Sequence, residues 1–147
     1  MITLYTDGSC DKNGYENAKS GSGIWHKQGS RHNRAIKLTS DTHTSQKAEI
    51  MGIVHAIKGK EKRPITIKSD SKTNLEGIIK NLESWEDKDY LEIKNATEWK
   101  YLAYLLRSRR VPTMFEWVEA HSGIEDNEEA NRMANLGQNK MKVKSQR

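Results

Sequence analysis

At 147 residues and 16.9 kDa the chain is the size of one ordinary domain, because single cores usually close at about 100–200 residues, and a second full domain is excluded. Hydrophobic residues make up 34% and charged residues 31%. Folding at this length still removes roughly 70% of the unfolded chain's surface from water, so a compact core is feasible. The longest apolar run is a few residues, far short of the ~20 that a membrane span needs. Met1 leads directly into Ile2-Thr3-Leu4-Tyr5 with no basic-then-apolar leader. A soluble, intracellular protein with no membrane association is expected.

The formal charge of +5 suggests an anionic partner, but Lys140, Lys142, Lys144 and Arg147 carry four of those five charges. The body is close to neutral, so charge alone leaves a solubilising tail and attraction to nucleic acid equally open. Cys10 is the single cysteine and the histidines are scattered at 26, 32, 43, 55 and 121. An intramolecular disulfide is impossible, zinc-ligand spacing is absent, and a reducing compartment fits.

In chain order, Met1 to Asp7 alternates with a strand period, and Gly21 to Lys27 and Arg34 to Thr39 read as two further strands after turn-rich segments. Three consecutive strands imply an antiparallel meander. From Ser45 to Gly59 the pattern turns helical: Ile50, Ile53, Val54 and Ile57 share one arc, with Glu49 and Ala56 at its edge and Gly59 as a stop. Pro64 precedes a strand, Ile65 to Asp70, and then a helix whose Leu75, Ile78, Ile79 and Leu82 fall at i, i+3, i+4 and i+7. Asn95, with Glu98 three residues on, reads as the cap of a helix carrying Trp99, Leu102, Ala103 and Leu106. Thr113 to Ala120 is the last strand. After a loop at 121–125, Asp126 with Glu129 caps a helix whose apolar side is Ala130, Met133 and Ala134. The order βββαβααβα predicts a mixed α/β domain over residues 1–138, with a loose basic tail from about Gly137 that occupies 139–147.

In this arrangement Asp7 ends the first strand and Asp70 the fourth. If the crossover strand packs beside the first, the two carboxylates sit one strand spacing, roughly 5 Å, apart. Glu49, on the crossover helix, reaches the same carboxyl end of the sheet, where open α/β sheets place ligands. Like charges so close raise one another's pKa and stay ionised only if a cation offsets them. Hard oxygen donors without thiolate or imidazole select Mg²⁺ or Mn²⁺, and phosphodiester chemistry follows, since two ions about 4 Å apart can activate water and stabilise a leaving oxygen.

Four segments carry a resemblance: Thr6-Asp7-Gly8-Ser9-Cys10 with Asn13; Lys47-Ala48-Glu49; Ser69-Asp70-Ser71; and His121-Ser122-Gly123 followed by Asn127-Glu128-Glu129-Ala130. Together they resemble the type 1 ribonuclease H family from about residue 2 to residue 138. Trp85-Glu86-Asp87-Lys88, Leu105-Leu106-Arg107 and Ser122-Gly123 are similar in particular to the ribonuclease H domains of LINE-type retrotransposons. The resemblance implies a ribonuclease H-like mixed five-stranded sheet, three strands antiparallel and two parallel, flanked by helices. It implies endonucleolytic hydrolysis of the RNA strand of an RNA/DNA hybrid by two Mg²⁺ ions, with Mn²⁺ able to substitute. It also implies a monomeric domain that can belong to a larger retrotransposon polyprotein.

By the same resemblance Asp7, Glu49 and Asp70 match three of the family's four metal-binding acids, and His121 its mobile-loop histidine, which assists proton transfer or product release. The fourth position, ten residues after His121, is Asn131 where the family has Asp. An amide oxygen can touch a metal but carries no charge, so three negative charges face two dications and metal occupancy should weaken. Asn131 is therefore expected to inactivate the chain. An introduced Asp→Asn change that traps a substrate uncut and a naturally impaired enzyme both fit, and the intact remainder of the site favours the former.

Ser9, Cys10, Asn13, Ser45, Gln46 and Ser71 match the family's RNA-contacting positions, where short polar side chains sense the 2′-hydroxyl. Thr44 and Asn95 match its DNA-phosphate pocket and Trp85 its DNA-strand channel. Ser45 replaces a usual Asn, Thr42 a usual Arg, and Thr73 and Asn81 stand where aromatic residues are common, so a weaker grip on the DNA strand is expected. Residues 86–94 are acidic where bacterial relatives carry a basic protrusion, and Arg107, Arg109, Arg110 or the tail are the candidates to compensate. A non-catalytic module that binds RNA/DNA hybrid or double-stranded RNA, and a metal-dependent DNA nuclease of the same superfamily, are the alternative readings.

Overall fold

The computed structural model describes residues 1–12, 17–40, 42–60 and 62–141. Five strands, β1 (Ile2–Asp11), β2 (Lys19–Trp25), β3 (Arg34–Lys37), β4 (Ile65–Ser69) and β5 (Thr113–Trp117), form one sheet in the order β3-β2-β1-β4-β5. β1–β2 and β2–β3 are antiparallel, whereas β1–β4 and β4–β5 are parallel. The meander and the parallel crossover expected from the element order are both present.

α1 (Ser45–Ile57) connects β3 to β4 and is capped by the Thr44 hydroxyl, which accepts from the Lys47 N–H at 3.1 Å. Its Ile50, Ile53, Val54 and Ile57 are buried against Leu4, Ile24, Ile65 and Ile67 of the sheet and against Trp99 and Leu102 of α4 (Ala96–Ser108). α5 (Glu125–Gln138) covers the opposite face of β1, β2 and β3. The two layers follow from strand alternation in β2. Ser22 points to α1, donating to the Ala48 carbonyl at 2.6 Å, whereas Gly21 and Gly23 face α5.

Several boundaries differ from the sequence reading. β1 does not end at Asp7: its pairing with β4 stops at Thr6 opposite Ser69, but β2 accompanies it as far as Asp11 opposite Lys19. The helical stripe after β4 is interrupted. α2 (Lys72–Glu76) passes into a π-helical turn, Gly77–Asn81, before α3 (Leu82–Asp87). The wider turn rotates the register, so Ile79 is 64% exposed while Ile78 and Leu82 pack on the core.

Asn95 stands at the N-cap position of α4 but in the left-handed region (φ 60°) and with no side-chain cap, its amide being directed to Gln46. Asp126 does not cap α5, which starts one residue earlier; its carboxylate accepts from the Trp25 indole N–H at 3.1 Å. Gly137 and Gln138 are buried in α5 against β3 rather than opening a loose tail, and the tail beyond residue 141 lies outside the described residues. Among the described residues no helix is long and apolar enough to cross a membrane.

Candidate active site

Three elements deliver one carboxylate each. Asp7 lies in β1 just past the point where β4 leaves it, Asp70 follows the last residue of β4, and Glu49 sits in the second turn of α1. One oxygen from each lies within 4.8 Å of the others. Two close approaches make this possible. A Cβ on Gly8 would collide with the Glu49 N and the Ala48 carbonyl carbon, so only glycine lets α1 lie against β1 beside Asp7. A Cβ on Gly23 would collide with the Ala130 carbonyl and the Ala134 N, so the same device draws α5 onto β2 and carries Asn131 to the site.

Asp7 is 4% exposed. Its Oδ1 accepts from the Gly8 N–H at 2.8 Å and its Oδ2 from the Asn131 amide at 2.9 Å. Burial, reinforced by the charge of Asp70, pushes its pKa up to about 6 against the opposing pull of those two hydrogen bonds and of His121. Glu49 is pushed up to about 7, first by burial, with a Ser71 hydrogen bond opposing and the charges of Asp7 and Asp70 adding. Burial and mutual repulsion thus both disfavour the ionised form of the cluster, and a bound cation would offset both. With oxygen donors alone, the cluster fits a hard divalent cation.

The remaining residues divide by environment. His121 is exposed, in the left-handed region (φ 55°), and lines the same cleft of about 300 Å³ as the three acids, Asn127 and Asn131. Thr44, Ser45, Gln46, Lys94 and Asn95 line an adjacent depression of about 490 Å³, so the residues matched to the phosphate pocket and part of the RNA-contacting set do converge. Ser71 caps α2, accepting from the Asn74 N–H at 3.4 Å. The Ser9 hydroxyl donates to Asn135 Oδ1 at 2.7 Å and also lies against Gln138 Oε1. Cys10 is half-buried beside Asp11, and Asn13 lies outside the described residues. Trp85 stands apart, packed edge-to-face on Trp99 at 5.1 Å and bordering a cleft with Gln46, Thr73 and Asn81. Arg107 is paired with Glu86, and Arg109 donates to the Lys60 and Arg63 carbonyls, so both have partners within the fold.

Sequence reasoning missed two asparagines. Asn74, fully buried, donates to Glu49 Oε2 at 3.3 Å and accepts from Gln46 Nε2 at 3.3 Å; Gln46 in turn accepts from Asn95 at 3.4 Å. This chain of amides ties Asn95 and Gln46 to one of the three clustered carboxylates. Asn127, 3% exposed, donates to Asp70 Oδ2 at 3.3 Å, while its Oδ1 is buried without a hydrogen-bond partner. Asn127 opens the Asn-Glu-Glu-Ala motif after His121, a signal that could have found it. Asn74 carries no signal beyond being a polar residue in a helix.

A five-stranded mixed sheet with acids converging from β1, α1 and the end of β4 defines the ribonuclease H class of α/β nuclease folds. The chain belongs to the RNase H family, whose profile matches residues 1–139. It is 30% identical over 139 residues to a ribonuclease H of Campylobacter jejuni (strain RM1221), covering 90% of this chain and 88% of that protein. It is 28% identical over 144 residues to ribonuclease H of Zymomonas mobilis, covering 91% and 86%. Ribonuclease H1 of Rattus norvegicus is 28% identical, with 92% of this chain matched to 50% of that protein. Among solved structures, the foamy viral protease-reverse transcriptase in complex with RNA/DNA hybrid superposes with a TM-score of 0.78 at 23% identity, covering 94% of this chain and 20% of that one. The solution structure of the PFV RNase H domain superposes with a TM-score of 0.71 at 24% identity, covering 93% of each chain. LC9-RNase H1, described as a type 1 RNase H with the type 2 active-site motif, gives 0.67 at 19% identity, covering 93% of this chain and 71% of that one.

Proposed function

We propose that this site is built to hydrolyse the RNA strand of RNA/DNA hybrids, with Asp7, Glu49 and Asp70 holding two Mg²⁺ ions, or Mn²⁺ in their place, and that Asn131, as a neutral fourth ligand, inactivates it in this chain. The observation that carries this reading is the convergence of three carboxylates whose oxygens lie within 4.8 Å of one another. When bound, the ions supply an activated water and charge stabilisation for the leaving oxygen. Asp7 is oriented for ligation by the Gly8 N–H, Asp70 by Asn127 and Glu49 by Asn74. Thr44 and Asn95 bind a DNA phosphate beside the acids, with Ser9, Cys10, Asn13, Ser45, Gln46 and Ser71 on the RNA side and Trp85 along the DNA strand. His121, exposed at the mouth of the cleft, handles a proton or product at the leaving oxygen.

Asn131 disables the site by weakening the hold on metal. Its amide N–H donates to Asp7 and its Oδ1 accepts from Asn135 at 3.2 Å, so the side chain must turn over before its oxygen can face an ion. The 20% share of the foamy viral chain that is matched supports a domain working inside a longer polyprotein, and the likeness to LINE-type domains rests on segments 85–88, 105–107 and 122–123.

Strand and sugar specificity test the reading. With end-labelled 24-mers (about two turns of duplex) and Mg²⁺, the Asn131→Asp variant is expected to cut the RNA of the hybrid and leave DNA/DNA intact, whereas the chain itself binds the hybrid and cuts little or none. Binding of hybrid or double-stranded RNA by the Asn131→Asp variant without cutting at any metal concentration would make the fold a binding module. Cleavage indifferent to an RNA→DNA swap would make it a DNA nuclease.

A further inference from the structure

At the end of the sheet opposite the carboxylates, two loops form a cationic pocket. Ile57, the last residue of α1, lies eight residues beyond Glu49, about 12 Å along the helix axis. The α1–β4 connection that follows and the β2–β3 hairpin then enclose a depression of about 490 Å³ lined by Arg31, His32, Gly59, Lys60, Lys62 and Arg63. Arg31, Lys62 and Arg63 are exposed, and none of them pairs with an acid among the described residues.

Both walls are braced. In the hairpin the Ser30 hydroxyl accepts from the His32 N–H at 3.1 Å and lies 2.9 Å from His26 Nδ1, and Asn33 bridges the His26 N–H (2.7 Å) and the Lys27 carbonyl (2.7 Å). In the connection, Gly59 (φ 80°) turns the chain, and the Lys60 and Arg63 N–H groups close successive turns on Ile57 and Lys60 at 3.2 and 3.1 Å. The Arg109 guanidinium binds the Lys60 and Arg63 carbonyls, neutralising two acceptors that would repel an anion. The walls meet where Arg63 donates to His32 Nε2 at 3.4 Å. Burial and the surrounding cations lower the pKa of His26 and His32, and the fixed positive charge of the pocket comes from its guanidinium and ammonium groups.

We infer that this pocket, formed by Arg31, His32, Lys62 and Arg63, is a phosphate-binding site separate from the catalytic cleft. Guanidinium forks and a mobile ammonium suit phosphate oxygens. Among the described residues no Leu, Ile, Val, Met, Phe, Tyr or Trp lines the depression, whereas docking of an acidic peptide would need apolar anchors. The phosphate can come from a free anion or from the backbone of a nucleic acid strand outside the cleft. In the sequence one acid, Glu61, lies in the same connection.

The test is a ¹H–¹⁵N titration of the full chain with inorganic phosphate, followed by a 5′-phosphorylated single-stranded DNA octamer and by a poly-glutamate peptide, on the chain and on Arg31→Gln/Arg63→Gln. Both residues are exposed, so the variant should keep the native spectrum elsewhere and the native melting curve. Phosphate is expected to give saturable shifts confined to residues 31–32 and 58–63, weakened about tenfold or more in the variant, as the loss of charge-assisted contacts implies. Competition between octamer and phosphate at these resonances, with the log–log salt slope of octamer binding reduced by about two in the variant, assigns the site to nucleic acid backbone. Phosphate binding without octamer binding assigns it to a free anion. The absence of saturable shifts with both, shifts that persist unchanged in the variant, or tighter binding of poly-glutamate would overturn the inference.

Discussion

At the residue scale, the buried carboxylates set the pH behaviour. Glu49 has a folded value near 7 against an ordinary 4.5, so between those values the native state binds more protons than the unfolded chain. Metal-free stability contributed by this group therefore falls as pH rises through that window. His55, half-buried and held down at about 4 against 6.5, works in the opposite direction below 6.5, so the comparison must be made within a variant pair. Glu49→Gln should raise metal-free stability at pH 8 by about 1–3 kcal/mol, since each tenfold change in a proton-binding constant is worth about 1.4 kcal/mol. At pH 5, where the glutamate is already protonated, it should change stability little. Urea unfolding of the pair at the two pH values checks this, and a destabilised variant at pH 8 would contradict it. Ligation requires the ionised forms, so the rise in Tm produced by Mg²⁺ should shrink as pH falls from 8 to 6, through the values near 7 and 6 for Glu49 and Asp7. A Mg²⁺ response equal at both pH values would remove the acids from the metal site.

At the element scale, two glycines fix where the acids meet. Gly8→Ala should force β1 and α1 apart and cost roughly 2–4 kcal/mol or more, the range of overpacked and backbone-clashing sites. It should also weaken Mg²⁺ binding, which a denaturation curve followed by a metal titration of the folded fraction would show. Gly23→Ala acts on α5 and should displace Asn131 while leaving Asp7, Glu49 and Asp70 together, so it should disturb metal binding less than Gly8→Ala does. Elements were legible wherever hydrophobic period and core coincide: Ile50, Ile53, Val54 and Ile57 in α1, Trp99 and Leu102 in α4, Ala130 and Ala134 in α5 are all buried. The π-helical turn was not, because Leu75, Ile78, Ile79 and Leu82 satisfy an α-helical period. What disrupts it is tertiary: the Trp85 and Trp99 rings lie within contact of where a Cβ on Gly77 would be. The true roles of Asn95 and Asp126 were hidden for the same reason, since Gln46 and Trp25 are partners distant in sequence.

At the scale of the whole molecule, the strand order β3-β2-β1-β4-β5 brings residues 7, 49, 70 and 131 to one cleft. Asp7, Glu49 and Asp70 could be singled out because like-charged side chains at a sheet's switch point announce a cation. The supporting roles of Asn74 and Asn127 could not, since they exist only once the helices are packed. The separation of the acidic cleft from the basic loops at the other end also lies in the topology, not in net charge. The Arg107–Glu86 pair and the loop contacts of Arg109 show that cations counted in sequence are not all available to a ligand.

If three carboxylates make this a metal-dependent ribonuclease H and Asn131 limits it, metal affinity and cleavage must change together at position 131. Single-turnover cleavage of a labelled RNA/DNA hybrid across a Mg²⁺ titration, comparing the chain with Asn131→Asp and Asp70→Asn, tests this most directly. Asn131→Asp should cut faster and saturate at lower Mg²⁺, by about tenfold or more as a restored charged ligand implies, and Asp70→Asn should cut no RNA. An Asn131→Asp variant that binds hybrid and stays silent at all metal concentrations, or an Asp70→Asn variant that retains cleavage, would contradict it.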